Sequence, residues 1–358
     1  MHRKITLMSD KIKLAQGAGG EQMDKLVKEK ILKYFGSEAK KGEVNLSMLD
    51  DSAVIDDIVF STDSHTITPI IFPGGDLGSL AVAGTVNDIS VMGAKPIALS
   101  LGFIIEEGLD LKSFETIVKS IATTSKKAGV PIVTGDTKVV EKGAIQEFMI
   151  NTSGIGKRTN LLDDNFREVK KYRKFKSNWL VDSNIESGDK LIISGNIGEH
   201  GIALMSYREG YGFETTIKSD VAPVNDLIEK ALKIGGIVSA KDPTRGGLAN
   251  TVNEFAEKSK TGIILYEEEI PIPGGVRSAS DMLGIDPLEI GNEGKVVIGV
   301  VSKKAEEVLS EIKKHPLGKN AAIIGEATDK IKGVVIETSV GGKRNLHKPI
   351  GDPVPRIC

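Results

Sequence analysis

The chain has 358 residues and a formal net charge of −2, so neither nucleic acid nor an anionic membrane surface is an expected partner. Its 40% hydrophobic and 27% charged residues are typical of a soluble globular protein, and its length favours two domains. The sequence has no run of about 18 apolar residues and no apolar signal core, so the cytoplasm is the expected compartment and no membrane contact is expected.

Cysteine is present once, as the last residue, Cys358. An intrachain disulfide and a zinc site of several thiolates are therefore excluded. A prenylation motif would need the cysteine four residues from the end, so Cys358 does not fit one. The five histidines are scattered and lack the spacing of metal ligands.

The first 155 residues predict an α/β domain. A glycine-rich loop and an amphipathic helix are expected over 14–35, and a strand over 54–60 is interrupted by Asp56-Asp57. A long apolar helix over 77–91 carries Asn87 and Asp88 in its interior. The next helix is predicted to begin after Asp110 and to stop at Gly129, with a buried stripe of five residues. That stripe is Leu111, Phe114, Val118, Ile121 and Ala122.

Two short strands complete the first domain, over 130–134 and 148–155, with a turn at 141–143 between them. The segment 157–180 breaks the pattern, because six of the ten residues from 167 to 176 are Lys or Arg. A solvated connector or inserted loop is the interpretation we favour. A nucleic-acid patch is the alternative, which the balanced charge of the rest of the chain disfavours.

A second α/β unit begins near residue 188 and runs to a proline-rich tail from Pro349. Its predicted helices cover about 199–209, 223–234 and 246–259, and its predicted strands cover 191–194, 262–265 and 295–301. The predicted organisation is a loop and helix (1–40), an N-terminal domain (41–156), the basic segment (157–180), a C-terminal domain (181–348) and a flexible tail (349–358).

Aspartates recur at the ends of predicted elements, beside small residues. Carboxylates that converge at strand ends, together with phosphates, are the ligands that Mg²⁺ takes in nucleotide sites. The alternative is that each one is a cap or turn residue. Asp88 resists that alternative, because an unpaired carboxylate inside an apolar helix is costly. The set is Asp50, Asp51, Asp63, Asp88, Asp136 and Asp242.

Glycine loops at 17–20 and 74–78 precede predicted helices, where phosphate can bind. Neither loop has the standard phosphate-loop or dinucleotide-binding pattern, so the signal is weak. Lys138, after a predicted strand, and Glu293, before another, could move protons in a phosphate-rich site. Standing alone, each is more often a surface residue.

The tail places Cys358 behind Pro349, Pro353 and Pro355. Prolines favour an extended polyproline form, in which ten residues span roughly 30 Å. A thiol on such an arm is placed like a carrier group. The alternative is a frayed, inert terminus.

Ten segments along nearly the whole chain together resemble the HypE family of hydrogenase maturation proteins. The segments at 50–55, 84–94 and 242–249 are shared with the wider PurM-like superfamily. The terminal cysteine separates the family from those relatives. The segments are DDSAVI (50–55), STDSH (61–65), FPGGDLG (72–78), GTVNDISVMGA (84–94), TGDTKVV (134–140), INTSGIG (150–156), DPTRGGLA (242–249), NEGK (292–295), HPLG (315–318) and PRIC (355–358).

This resemblance implies an α/β, PurM-like two-domain fold in which the N-terminal domains of two chains pair into a dimeric β-barrel, with a C-terminal α/β domain and an extended tail. It implies ATP and Mg²⁺ as cofactors. It also implies an activity, the ATP-dependent dehydration of an S-carbamoyl group on the terminal cysteine to a thiocyanate. The implied partners are the carbamoyltransferase HypF and a HypC–HypD complex that receives the cyano group for the iron of [NiFe]-hydrogenase.

The resemblance also assigns residues. Metal ligands by this match are Asp51, Asp63, Asp88 and Asp242. Expected nucleotide-binding residues around them are Asn87, Asp136, Thr137, Asn151, Gly19 and Gly20. Catalytic roles fall to Cys358, with Lys138 and Glu293 for proton handling.

Two other classes stay open at this point. One is a different PurM-like ATP enzyme, such as a small-molecule kinase, in which the tail has no role. The other is a non-catalytic scaffold for maturation complexes. The tail motif argues against the first and the acidic set against the second.

Overall fold

The computed structural model describes residues 11–208, 216–351 and 354. Two mixed sheets organise the chain, one in each half. The five-stranded sheet of the N-terminal half has the order β1-β2-β7-β5-β6, with β5 and β6 parallel and the other neighbours antiparallel. Its strands are β1 (Ala53–Ile55), β2 (Ile58–His65), β5 (Lys95–Glu106), β6 (Ile132–Val140) and β7 (Phe148–Lys157), and a separate small hairpin is formed by β3 (Ile71–Phe72) and β4 (Gly75–Asp76).

Helix α3 (Leu77–Val91) lies between the two halves. Asp76 caps it, accepting a hydrogen bond from the Ser79 backbone N–H at 2.8 Å, while the Ser79 hydroxyl lies 2.9 Å from the Asp76 backbone N. The helix packs against β2 and β7 on one side and also contacts elements of the C-terminal half. Nearly every residue of α3 is buried, which explains its uniformly apolar, small-residue sequence.

Helix α4 (Leu111–Ala128) covers the same face of the N-terminal sheet. The Asp110 side chain caps its start and Gly129, in the left-handed region at φ 69°, follows its end, so both predicted boundaries are confirmed. The predicted stripe is only partly right, because Leu111 and Val118 are exposed while Ile117 and Ile121 are buried.

The C-terminal half is built on seven strands in the order β14-β13-β10-β12-β8-β11-β9. They are β8 (Lys190–Ile193), β9 (Ile237–Lys241), β10 (Gly262–Tyr266), β11 (Val297–Val300), β12 (Ala322–Thr328), β13 (Val334–Glu337) and β14 (Lys343–Asn345). The helices that accompany them are α6 (Glu199–Tyr207), α7 (Asn225–Ile234), α8 (Gly247–Ser259), α9 (Gly274–Leu283) and α10 (Ala305–Lys314).

The basic segment over 157–180 was expected to be a solvated connector or inserted loop, but much of it is folded and packed. It contains helix α5 (Asn160–Val169), whose Leu162 and Phe166 are buried and which packs against α7 and β9. The guanidinium of Arg158 lies 5.0 Å from the ring centroid of the buried Trp179. The charged residues of this segment suggested solvent exposure, but several of them pack against apolar side chains or pair with acidic ones.

A broken helix follows a short 3-10 turn (Leu14–Gly17) near the start of the described part of the chain. It consists of α1 (Gly20–Leu26), a π-helical stretch (Val27–Leu32) and α2 (Lys33–Phe35). Gly20 is its only buried residue within the described chain. The helix therefore lies on the surface and touches the rest of the molecule mainly through its first turn.

Two apolar cores result, one centred on the C-terminal sheet and one that joins α3 and α4 to α6 and α9. Val354 is fully buried in the second core. The predicted extended arm is therefore held against the protein at this position, whereas Cys358 lies outside the described residues.

Strand β6 is longer than predicted, so the segment 135–138 lies inside the strand and not after it. The sheet is open in the single chain, and the described residues form no closed barrel. Within the same described part of the chain, no helix has the length and apolar character needed to cross a membrane.

Candidate active site

A cleft of about 280 Å³ lies between the two halves and is rich in carboxylates. All four aspartates that the resemblance assigns to metal line it, although they come from four separate parts of the chain: Asp51 precedes β1, Asp63 is on β2, Asp88 is on α3 and Asp242 follows β9. Glu293 and the glycines of the first loop line it as well. The predicted residues gathered here are Asp51, Asp63, Asp88, Asp242, Glu293, Gly19 and Gly20.

Hydroxyl groups on the neighbouring elements hold two of these carboxylates. Ser61, on β2, donates to Asp88 Oδ2 at 2.7 Å, and Thr85, on α3, donates to Asp63 Oδ2 at 2.9 Å. Each of the two elements thus supplies one carboxylate and the hydroxyl that orients the other. A single neutral donor leaves a carboxylate with unused acceptor capacity.

Burial and mutual repulsion dominate the electrostatics of this cleft. The pKa of Asp88 is raised well above its ordinary value, first by burial and then by the carboxylates of Asp63 and Asp242. Burial followed by Asp51 has the same effect on the pKa of Asp242. Burial, Asp242 and Asp220 also raise the pKa of Glu293 well above the ordinary range. A cation placed among these groups would relieve the repulsion.

The donor set suits Mg²⁺ better than a metal that needs a closed protein cage. The described residues contain no cluster of three or more acidic or imidazole side chains already spaced to hold an ion. Mg²⁺ usually keeps several waters and takes one or two carboxylates together with phosphates. The buried and partly buried carboxylates that line the cleft are hard oxygen ligands of this kind.

Two lysines that sequence reasoning missed bring positive charge to this region: Lys241 lines the cleft, and Lys258 lies next to it. Lys241 Nζ lies 2.5 Å from Asp51 Oδ1, and Lys258 Nζ lies 2.6 Å from Asp182 Oδ2. Glu254 lies between the two lysines. Burial raises its pKa, but the ammonium groups of Lys241, Lys258 and Lys348 together outweigh burial and bring that pKa to about 2. Lys241 directly precedes the predicted ligand Asp242, so its position was the available signal.

The glycine loop approaches other backbone too closely for side chains. Gly19 and Gly20 have φ of 78° and 71°, and a Cβ on Gly20 would lie 2.1 Å from the carbonyl oxygen of Pro349. The Glu21 N–H donates to that same carbonyl at 3.0 Å. The base of the tail is therefore fastened to the loop that lines the cleft.

Asn87 and Asn151 are not among the residues that line the cleft. Asn87 accepts a hydrogen bond from the Val224 N–H at 2.8 Å and donates to the Ala222 carbonyl at 3.2 Å, which ties α3 to the C-terminal half. Asn151 donates to the backbone carbonyl of Asp63 at 2.8 Å. Both contacts support neighbouring elements, and their predicted nucleotide-binding roles stay predictions.

Three predicted residues do not reach the cleft within one chain. Asp136, Thr137 and Lys138 are exposed on β6, the outer strand of the N-terminal sheet. Asp136 and Thr137 line a separate shallow depression on that strand. If they serve the same site, they must do so from another chain.

Comparison with known proteins matches both halves of this fold. Residues 49–157 match the family model described as AIR synthase related protein, N-terminal domain, and residues 186–337 match its C-terminal domain. The chain is thus an α/β protein of the AIR synthase-related, PurM-like class. Thiamine monophosphate kinase from Aquifex aeolicus, 15% identical with a TM-score of 0.59, shares the fold alone.

Closer relatives narrow this class. A putative hydrogenase expression/formation protein of Methanocaldococcus jannaschii is 52% identical over 97% of this chain and 100% of its own length. Carbamoyl dehydratase HypE of Escherichia coli is 40% identical, covering 97% of this chain and 99% of the relative. This chain belongs to the HypE family of carbamoyl dehydratases.

Solved structures of the family agree with the fold described above. The HypE–HypF complex matches at a TM-score of 0.79 and 44% identity, covering 89% of this chain and 100% of the other. HypE in complex with ATP matches at 0.76 and 38%, covering 97% of this chain and 100% of the other.

Proposed function

We propose that this chain is the ATP-dependent carbamoyl dehydratase of a hydrogenase maturation system and that it acts on its own Cys358. The observation that carries the proposal is the cleft, which gathers four aspartates, Glu293 and a glycine loop between the two halves. Full-length likeness to carbamoyl dehydratase HypE and to an ATP-bound HypE structure supports ATP as the co-substrate. The predicted compartment is the cytoplasm.

Mg²⁺ is the metal we propose for the cleft, held by Asp51, Asp63, Asp88 and Asp242. When bound, it would neutralise the charge of the ATP phosphates and the repulsion among these carboxylates. Ser61 and Thr85 keep the Asp88 and Asp63 carboxylates in place before the metal arrives. Gly19 and Gly20 bring backbone close to the same space.

The reaction needs the carbamoyl oxygen to become a leaving group. That oxygen bonds to the γ-phosphorus of ATP, ADP leaves, and one N–H proton is given up, which yields an iminophosphate on sulfur. Loss of phosphate with the second N–H proton then gives S–C≡N. The oxygen departs in phosphate, so the net change is the removal of one water from the carbamoyl group.

Glu293 and Lys138 are the residues we propose for proton handling. Burial and the neighbouring Asp242 and Asp220 raise the pKa of Glu293 well above its ordinary value, which favours the protonated carboxyl in the metal-free chain. A cation among its acidic neighbours lowers that pKa, so the carboxylate becomes available as a base when the site is loaded. Lys138 lies on β6 and would act from the second chain of a dimer.

The proposed assembly is a homodimer through the N-terminal sheet, closing the dimeric β-barrel. Phe60 and Ile155 are paired neighbours on β2 and β7 and are 44% and 37% exposed, and Val139 on β6 is 64% exposed. An exposed apolar sheet face of this kind favours burial against a partner. Proposed further partners are HypF, which loads the carbamoyl group, and a HypC–HypD complex, which accepts the cyano group.

Mass spectrometry of the terminal peptide tests the activity directly. After loading by the carbamoyl donor system and addition of Mg-ATP, we expect the mass of the Cys358 peptide to fall by one water. Cys358→Ala should still bind ATP and form no thiocyanate, because the cleft residues lie in the folded halves. ATP turnover with a free small substrate and an unmodified Cys358 would instead indicate a small-molecule kinase.

A further inference from the structure

Lys241 occupies an unusual position at the end of β9. Its ammonium nitrogen lies 2.5 Å from Asp51 Oδ1, 3.3 Å from Asp182 Oδ2 and 3.2 Å from Glu254 Oε2. The lysine side chain is only 8% exposed. One buried positive charge is therefore shared by three carboxylates, of which Asp51 comes from the N-terminal half and the other two from the C-terminal half.

These three carboxylates differ in what else surrounds them. Asp182 and Glu254 also have the ammonium of Lys258, at 2.6 Å and 3.9 Å respectively. The Lys258 ammonium has no such contact with Asp51 among the described pairs. Asp51 instead lies in the cleft with Asp63, Asp88 and Asp242.

A resident ammonium and an entering divalent cation would compete for Asp51. Two positive charges beside one carboxylate repel each other, most strongly where burial limits screening by water. Moving the ammonium away from Asp51 is feasible only if another carboxylate already stands within reach. Asp182 and Glu254 satisfy that condition, because both already lie within 3.3 Å of Lys241 Nζ.

We propose that Lys241 is a built-in counter-ion of the metal site. It neutralises Asp51 in the metal-free protein and is handed to Asp182 and Glu254 when a divalent cation takes Asp51. Lys241 thus acts through Asp51: it balances the Asp51 charge until the cation arrives and so sets how tightly the cation binds. This inference rests on the proposed function, which places Mg²⁺ among the four aspartates.

The rival role is that of a fixed strut, in which Lys241 only orients Asp51 for the metal. The two roles predict opposite effects of removing the charge. Without a competing counter-ion the cation should bind more tightly, whereas without a strut it should bind more weakly. Metal affinity, measured without catalysis, therefore separates them.

The test uses full-length protein and Mn²⁺ as the probe, with free ion followed by its electron paramagnetic resonance signal. We expect Lys241→Met to bind Mn²⁺ about fivefold more tightly than wild type. Its metal-free melting temperature should be lower and its gain in melting temperature on adding Mn²⁺ larger. Lys241→Arg, which keeps the charge, should bind like wild type.

Two further variants serve as controls for this test. Lys241→Gln keeps a hydrogen-bond donor for Asp51 without the charge, and should show the same tightening even if the methionine variant does not fold. Lys304→Met removes a buried lysine that does not line the cleft, and should leave Mn²⁺ affinity unchanged.

Unchanged or weaker Mn²⁺ binding in folded Lys241→Met or Lys241→Gln overturns the counter-ion role while leaving the metal site intact. Failure of wild-type protein to take up Mn²⁺, with or without ATP, overturns the metal site of the proposed function and the counter-ion role with it. The two failures are distinguished by the wild-type titration alone.

Discussion

At the scale of single residues, Asp88 shows why function and folding compete in this chain. It lies inside α3, a helix buried on nearly every side, and its pKa is raised by burial and by neighbouring carboxylates. A partly buried carboxyl that is held by one serine hydroxyl and faces other carboxylates does not stabilise the fold. Its position is best explained by a ligand that needs the carboxylate.

Replacing Asp88 by Asn should therefore separate binding from stability. We expect Mg-ATP affinity to fall at least about tenfold, because a carboxylate ligand is lost, while the melting temperature stays level or rises because repulsion is relieved. Isothermal titration calorimetry and thermal melts measure the two effects. Asp63→Asn should behave alike, and Asp281→Asn, on the exposed surface, should change neither quantity. Wild-type ATP affinity in both cleft variants would show that the metal assignment is wrong.

The pH dependence of stability is a second residue-scale prediction. Burial raises the pKa of Asp50 to about 7 and that of Asp51 to about 6. Both carboxyls bind a proton more tightly in the folded chain, so their contribution is complete below the ordinary pKa of about 4 and is lost as pH rises through the raised values. The metal-free protein should lose on the order of 4 kcal/mol between about pH 5 and about pH 8.

Thermal melts of the metal-free protein across that range check this prediction. Asp51→Asn should flatten the part of the decline near pH 6, because the titrating group is removed. Glu254 acts in the opposite sense, but with a pKa of about 2 it loses its contribution only in strong acid. A melting temperature that rises steadily from acid to alkaline pH would contradict the expectation.

At the scale of elements, the first glycine loop connects the cleft with the base of the tail. Gly20 has φ of 71° and lies against the Pro349 carbonyl, which accepts the Glu21 N–H. Any side chain at position 20 would force the loop and the tail base apart. The loop that lines the cleft and the base of the tail at Pro349 are therefore in direct contact.

Gly20→Ala should disrupt the contact between the glycine loop and Pro349. We expect the free energy of unfolding to fall by about 1–3 kcal/mol, because the new methyl group would clash with a carbonyl oxygen and because alanine is strained at a positive φ. We also expect weaker ATP binding. Gly17→Ala is the matched control, because a Cβ there meets nothing within 4 Å and should be neutral. Denaturant titration gives both values, and equal stability of the two variants would refute the close approach.

At the scale of the whole molecule, the cleft exists only because two halves meet. Asp51, Asp63 and Asp88 come from the N-terminal half, whereas Asp242 and Glu293 come from the C-terminal half. Ion pairs such as that of Asp51 with Lys241 cross the same boundary. The chemistry of the site therefore depends on how the halves are held together and on what a second chain adds.

Dimerisation is the prediction that belongs to this scale. Phe60→Glu places a charge on the exposed apolar face of the N-terminal sheet, so we expect it to convert a dimer into a monomer in sedimentation velocity at micromolar concentration. The monomer should also lose dehydration, because Lys138 lies away from the cleft of its own chain. Val340→Glu, at a position 91% exposed in the C-terminal half, should stay dimeric. A monomeric wild-type protein would remove the basis of this prediction.

The sequence alone determined the elements whose signals are local. Helix α3 spans 77–91 as predicted and α4 begins and ends at Asp110 and Gly129, because periodicity, capping side chains and left-handed glycine act over a few residues. Motif resemblance also named the four aspartates that line the cleft.

Only the tertiary structure decided the rest, because it depends on which distant residues meet. Arg158 looked like a solvated charge in sequence, yet it stacks on Trp179, twenty-one residues further along the chain. Lys241 carried no prediction from the sequence, yet folding places it against Asp51, which is 190 positions away. Spacing along the chain carries no record of such contacts, since they follow from how two sheets and their helices pack and not from any local pattern.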